Sequence, residues 1–145
     1  MPLIAPVRYV SGMSLELVPL CTATVTLAAP IQVSPSMMVG EVEEMIFEGE
    51  RLSGRLRGRA AADWLSVAPE GYGRLDVRLT METADGAIIY VSYTGRLQFA
   101  TGTAYSTPLF HTGDERYAWL NSIQAVAKGV FSPPSTLVYE MFELR

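Results

Sequence analysis

Leu75, Val77, Leu79 and Met81 alternate with Asp76, Arg78, Thr80 and Glu82, and the alternation runs straight into Ala84-Asp85-Gly86. A period of two places successive side chains on opposite faces of an extended strand. Asp-Gly then supplies a turn, because both residues tolerate positive φ. The following "AIIYVSYTG" reads as the partner strand. A chain with such a hairpin at its centre is built on an antiparallel sheet, and the other segments have to be compatible with that.

Most of them are. Residues 15–28, "LELVPLCTATVTLA", mix apolar and β-branched residues with Thr22, Thr24 and Thr26 at alternate positions, which suggests a long strand. Pro19 would bend it or place it at an edge. "PIQVSPSMMVGEVEE" is interrupted by Pro30 and Pro35 and reads as a loop with a short strand. "MIFEGERLSGRLRGRAA" has the glycine rhythm of a hairpin. "STLVYEMFEL" alternates again near the C-terminus. Residues 114–128 allow two readings. Asp114 and Glu115 suit a helix start and Lys128-Gly129 an end. A short turn followed by a strand over 122–131 fits the β setting on both sides better. Many short strands with Gly/Pro turns make a sandwich or a barrel. Closure removes the exposed edges that invite aggregation. The expected fold is therefore all-β: a single antiparallel barrel of about 8–10 strands with at most one or two short helical turns. It would occupy 14–145, after an N-terminal extension over 1–13. A barrel of this size has room for one small ligand.

Bulk properties narrow the function classes. At 145 residues the chain has the length of one domain. A net charge of −4 argues against a nucleic-acid partner. Arg51, Arg55, Arg57 and Arg59 form a local basic cluster, read as a solvated hairpin face. Cys21 is the single cysteine, which excludes an intrachain disulfide and fits a reducing cytoplasm. It lies in an apolar run and reads as a small buried hydrophobe. One His and one Cys give no metal-ligand spacing, so no metal is expected. No Gly-rich phosphate loop and no G-x-S-x-G is present, so no cofactor is expected. No apolar run approaches the roughly 20 residues that cross a bilayer, and the N-terminus lacks the pattern of a signal peptide. A cytoplasmic protein with no membrane partner is expected.

What remains is acid–base chemistry. "HTGDERYAWLN", from His111 to Asn121, is the densest polar stretch. The candidate proton-transfer residues are Asp63, Tyr90, His111 and Tyr117, because carboxyl, phenol and imidazole groups in a dry cavity shift their pKa values. Trp64 and Trp119 are candidate walls for a flat substrate, and Asn121 a hydrogen-bond donor. Each also has a structural reading. Asp63 suits a turn cap, the tryptophans suit a core, and the tyrosines suit rings buried with a hydroxyl on a backbone carbonyl. Asp114 and Arg116 suit a turn and its tether. Arg78 is a candidate for substrate binding if the polar face of its strand lines the lumen. In that case the apolar face would pack outward against other layers or a second subunit, and the latter implies an oligomer such as a homodimer.

Several stretches resemble the DUF3237 family, also called UPF0311, small bacterial and fungal proteins of uncharacterised function. They are "FEGERLSGRLRG" (47–58), "ADW" (62–64), "APEGYGRLDVRLTMETADGAIIYV" (68–91), "TGDERYAWLN" (112–121) and "LVYEMFEL" (137–144). The resemblance implies a single antiparallel β-barrel and little about activity. Three positions depart from the family pattern. "GRAAADW" stands where a glycine-rich lead-in is expected, and His111 where an acid is expected. Ser122 replaces an arginine and is followed by a "QAVAKG" smaller than the bulkier apolar residues expected there. If these residues border a pocket, its ligand differs from that of relatives.

The function expected is binding of a small hydrophobic, aromatic or polyketide-like molecule in a barrel. As an enzyme it would be a cofactor-free lyase or isomerase, including cyclase- or hydratase-type proton transfer. The alternatives are a non-catalytic carrier and a barrel packed solid with side chains.

Overall fold

The computed structural model describes residues 4–8 and 11–145, so the expected N-terminal extension lies partly outside the described residues. The strands are β1 (Leu17–Leu27), β2 (Ile31–Ser34), β3 (Met37–Glu48), β4 (Gly54–Leu56), β5 (Ala62–Val67), β6 (Tyr72–Thr83), β7 (Ile88–Gln98), β8 (Thr103–Ser106), β9 (Leu109–His111), β10 (Ala125–Ser132) and β11 (Thr136–Leu144). A 3-10 helix, Glu115–Ser122, precedes β10. Residues 114–128 thus form a short helical turn and then a strand.

Eight strands close a ring in the order β6–β5–β3–β1–β11–β10–β8–β7, and β7 returns to β6 from Tyr72↔Gln98 to Glu82↔Ile88. All pairings are antiparallel. The other three strands extend positions of the ring. β2 continues β1 along β3, β4 continues β5 between β3 and β6, and β9 continues β8 along β7. The segment read as a loop with a short strand is instead β2 plus the 12-residue β3. Pro30 and Pro35 lie outside the strands on either side of β2, where no ladder N–H is needed.

The alternation of β6 fixes which face is inside. Leu75, Val77, Leu79 and Met81 are buried in the lumen, while Asp76 and Arg78 are exposed on the outer wall. The arrangement with polar residues inward and apolar residues outward, from which a homodimer was one expectation, does not arise. Cys21, Ala23 and Val25 of β1 join the core, as do Ile89, Val91 and Tyr93 of β7 and Tyr139 and Met141 of β11. Burial pushes the Cys21 thiol up to about 12, which leaves it protonated and unreactive at neutral pH.

The two ends of the barrel differ. At one end the 3-10 helix seals the lumen: Leu120 is fully buried, and Tyr117, Trp119 and Ile123 pack against the core. At the other end the connections β1–β2, β7–β8 and β10–β11 surround an opening. No helix among the described residues is long and apolar enough to cross a membrane.

Candidate functional site

The opening leads into a cavity of about 560 Å³. Its rim carries Pro30, Phe99, Phe131 and the Pro133–Pro134 pair. Its walls are aliphatic: Val25 and Leu27 from β1, Met38 and Val42 from β3, Leu65 from β5, Leu75 and Val77 from β6, Leu97 from β7. Polar chemistry inside comes chiefly from Asp63 on β5, Tyr93 on β7 and Tyr139 on β11.

Asp63 points inward because Leu65, two residues on, does so too, while Trp64 between them points out. The β5–β6 pairing passes from Asp63↔Val77 to Ser66↔Arg74 with no pair between. In that gap the Asp76 N–H donates to Asp63 Oδ1 at 2.9 Å. Asp63 therefore closes a break in the ladder with one oxygen, and it lines the cavity with the other free of any hydrogen bond among the described residues. Burial pushes its carboxyl up to about 6, against the lowering effect of the Asp76 N–H bond and with a small further push from the Asp76 charge.

Tyr93 and Tyr139 meet edge to face, with ring centroids 5.7 Å apart and planes at 73°. Burial raises both phenols well above their ordinary value, and the nearby Asp63 charge raises them further. The three groups are thus driven apart in function. Near neutral pH the carboxyl is an ionised base and the two phenols remain neutral donors.

Of the residues singled out from sequence, only Asp63 lies in this cavity. Tyr90 is 41% exposed on the outer wall beside its cross-strand partner His111, also exposed. Trp64, 39% exposed, stacks under the Arg78 guanidinium at 5.2 Å, again outside. Tyr117, Trp119 and Asn121 belong to the sealed end. Tyr93 and Tyr139 went unnoticed, although the parity of "IIYVSY" carries the signal. Ile89 and Val91 face inward, so Tyr93 does and Tyr90 does not.

The dense stretch 111–121 builds the plug. Asn121 accepts the Thr112 N–H at 2.8 Å and donates to the Thr112 carbonyl at 2.9 Å. Thr112 Oγ1 donates to the Ile88 carbonyl at 2.7 Å. Asp114 caps the 3-10 helix by accepting the Arg116 N–H, and Arg116 reaches the Asp85 carbonyl at 3.0 Å. Tyr117 donates to Asp85 Oδ1 at 2.8 Å, tying the plug to the β6–β7 turn. Trp119 lies under Arg51, which pairs with Glu143 of β11 at 2.7 Å. Asn121→Ala leaves both Thr112 backbone groups without their partner. It is expected to lower unfolding free energy by about 2 kcal/mol in urea titration and to leave ligand affinity in the cavity within about twofold. A large affinity loss with unchanged stability would place Asn121 in the binding site after all.

Among the described residues, no group of three or more His, Cys, Asp or Glu is placed to hold a metal ion. Of the basic cluster, Arg51 pairs with Glu143 and Arg57 with Glu82, both away from the cavity.

Residues 15–144 match the family described as "Protein of unknown function (DUF3237)". The chain belongs to the DUF3237 family. No curated protein matches it significantly in sequence. Among solved structures, a β-barrel-like protein from Acinetobacter baumannii is 25% identical, with a TM-score of 0.78 over 91% of this chain and 97% of that one. A conserved protein of unknown function from Rhodopseudomonas palustris is 19% identical, with a TM-score of 0.81 over 91% and 98%. An enzyme from Penicillium herquei is 22% identical, with a TM-score of 0.64 over 88% and 93%. These likenesses agree on the barrel. Against the DUF3237 pattern, the departures at His111 and Ser122 lie on exposed positions outside the cavity. The small residues of 124–129 matter more to the interior: Ala125, Ala127 and Gly129 are all buried.

Proposed function

We propose that this barrel binds a small, hydrophobic, aromatic or polyketide-like molecule in its lumen and moves a proton on it without a cofactor. The reaction class is lyase or isomerase, including cyclisation. The observation that carries this reading is Asp63: a carboxyl raised to about 6 in an apolar cavity, with the neutral phenols of Tyr93 and Tyr139 close by. A base near neutral pKa, donors for a developing oxyanion and a water-poor pocket are what enolisation requires. Asp63 takes a proton from carbon next to a carbonyl. The electron pair moves onto the carbonyl oxygen, a tyrosine hydroxyl holds it, and the proton returns at the same or another atom.

The test needs no natural substrate. 2-Tetralone, a neutral bicyclic ketone with acidic C–H bonds, is incubated with the protein in D₂O and its deuterium uptake followed by NMR. Uptake is expected well above the buffer rate. Asp63→Asn should remove about 10²-fold or more of the enhancement. Tetralone that binds but exchanges no faster than in buffer would leave a carrier, the alternative that the apolar walls also support.

A further inference from the structure

The cavity contains one charged side chain and nothing to balance a second. Among the described residues Asp63 is the only carboxylate lining it, and no Lys, Arg or His does. The nearby arginines are held outside. Arg78 lies over Trp64 and faces Asp76 at 3.8 Å, and Arg74 stacks on Tyr72. Asp63 Oδ1 is engaged by the Asp76 N–H, whereas Oδ2 accepts no hydrogen bond among the described residues. A desolvated carboxylate with a free oxygen attracts a donor and repels an anion, and the apolar walls around it weaken screening.

We infer that the lumen selects for neutral or cationic apolar molecules, and that Asp63 is the residue that excludes anions such as fatty acids and phosphate esters. An acidic hydrogen of the ligand, on carbon or on a heteroatom, meets the carboxylate of Asp63, and the ring system lies against the aliphatic walls. This rests on the lumen being the binding site, and it adds to that reading a rule for what enters.

A matched pair of fluorescent probes tests it. N-phenyl-1-naphthylamine is neutral and carries an N–H. 8-Anilinonaphthalene-1-sulfonate has the same rings and the same N–H, with a sulfonate added. Titrated at pH 8, where Asp63 is ionised, the neutral probe is expected to bind at least about 30-fold more tightly. Asp63→Asn keeps the shape of the side chain, removes the charge and should narrow that ratio to about threefold or less, mainly by improving the sulfonate's affinity. Leu97→Trp, which fills the cavity from the β7 wall, should weaken both probes together. Equal affinities for the two probes, or a ratio unchanged in Asp63→Asn, would overturn the selection while leaving the lumen as the site. If Leu97→Trp has no effect, or neither probe binds, the lumen reading fails and the selection with it.

Discussion

Asp63→Asn should make the protein more stable at neutral pH while removing the proton transfer proposed for it. The carboxyl titrates at about 6 in the barrel against an ordinary value of 3.8. Between those two pH values the folded chain holds a proton that the unfolded chain has released. Unfolding free energy therefore falls as pH rises from about 4 to about 6, and stays on a lower plateau above. Asparagine does not titrate. Its amide oxygen can still accept the Asp76 N–H, so the gap in the β5–β6 ladder stays closed. The full shift corresponds to about 3 kcal/mol, reduced by the partial exposure of the side chain, so a gain of about 1–3 kcal/mol is expected at pH 7.5. The gain should shrink through the window and vanish near pH 4. Urea denaturation of both proteins at pH 4, 5, 6 and 7.5 measures it. Curves that stay parallel across the range would mean that Asp63 is not desolvated in the native state. A destabilised group retained at the centre of a cavity is the pattern of a functional site, where stability gives way to reactivity.

The barrel was legible because its signal is repeated. The period-two run of β6, the Asp-Gly turn and the alternation of β7 and β11 each point to an antiparallel sheet, and closing that sheet into a barrel is one of the two arrangements that bury its apolar face, the one that leaves no exposed edge. β3 was hidden because Pro30 and Pro35 look like breakers of a whole segment, whereas each lies beside β2 in a connection. The site was less legible for two physical reasons. Polar density in 111–121 reflects the hydrogen bonds needed to hold a helical plug over a barrel end, and such networks use the same residue types as catalysis. The residues that do face the cavity are isolated tyrosines inside apolar runs. Tyr139 sits between Leu137 and Met141 on the same face of an alternating strand and so reads as core. Only strand parity separates Tyr93 from Tyr90, and parity becomes decisive only once the inner face is known. Asp63 is legible as a carboxyl that could serve as a base in a dry barrel, beside its reading as a turn cap.

Gly129→Ala should damage the protein more than a single methyl group ordinarily does. In an unremarkable strand position, replacing glycine by alanine is neutral or stabilising, since it restricts the unfolded chain. Here Gly129 pairs with Tyr139 across β10–β11 and with Ala104 across β8. A Cβ on Gly129 would lie 2.6 Å from Cδ1 and Cε1 of the Tyr139 ring and 3.2 Å from Leu137 Cδ1. The ring covers the bare backbone, and its edge-to-face contact with Tyr93 holds it there. An added methyl must push the ring toward the cavity and off Tyr93. Overpacking of this kind costs about 1–3 kcal/mol, and in the proposed reaction the displaced hydroxyl would no longer face the substrate oxygen. Deuterium uptake by 2-tetralone should fall more steeply than the affinity for it. A double-mutant cycle isolates the cause: in a Tyr139→Leu background the ring is gone, and Gly129→Ala should then cost less than about 0.5 kcal/mol. An equal cost in both backgrounds would show that the glycine answers to the strand backbone alone and does not position Tyr139.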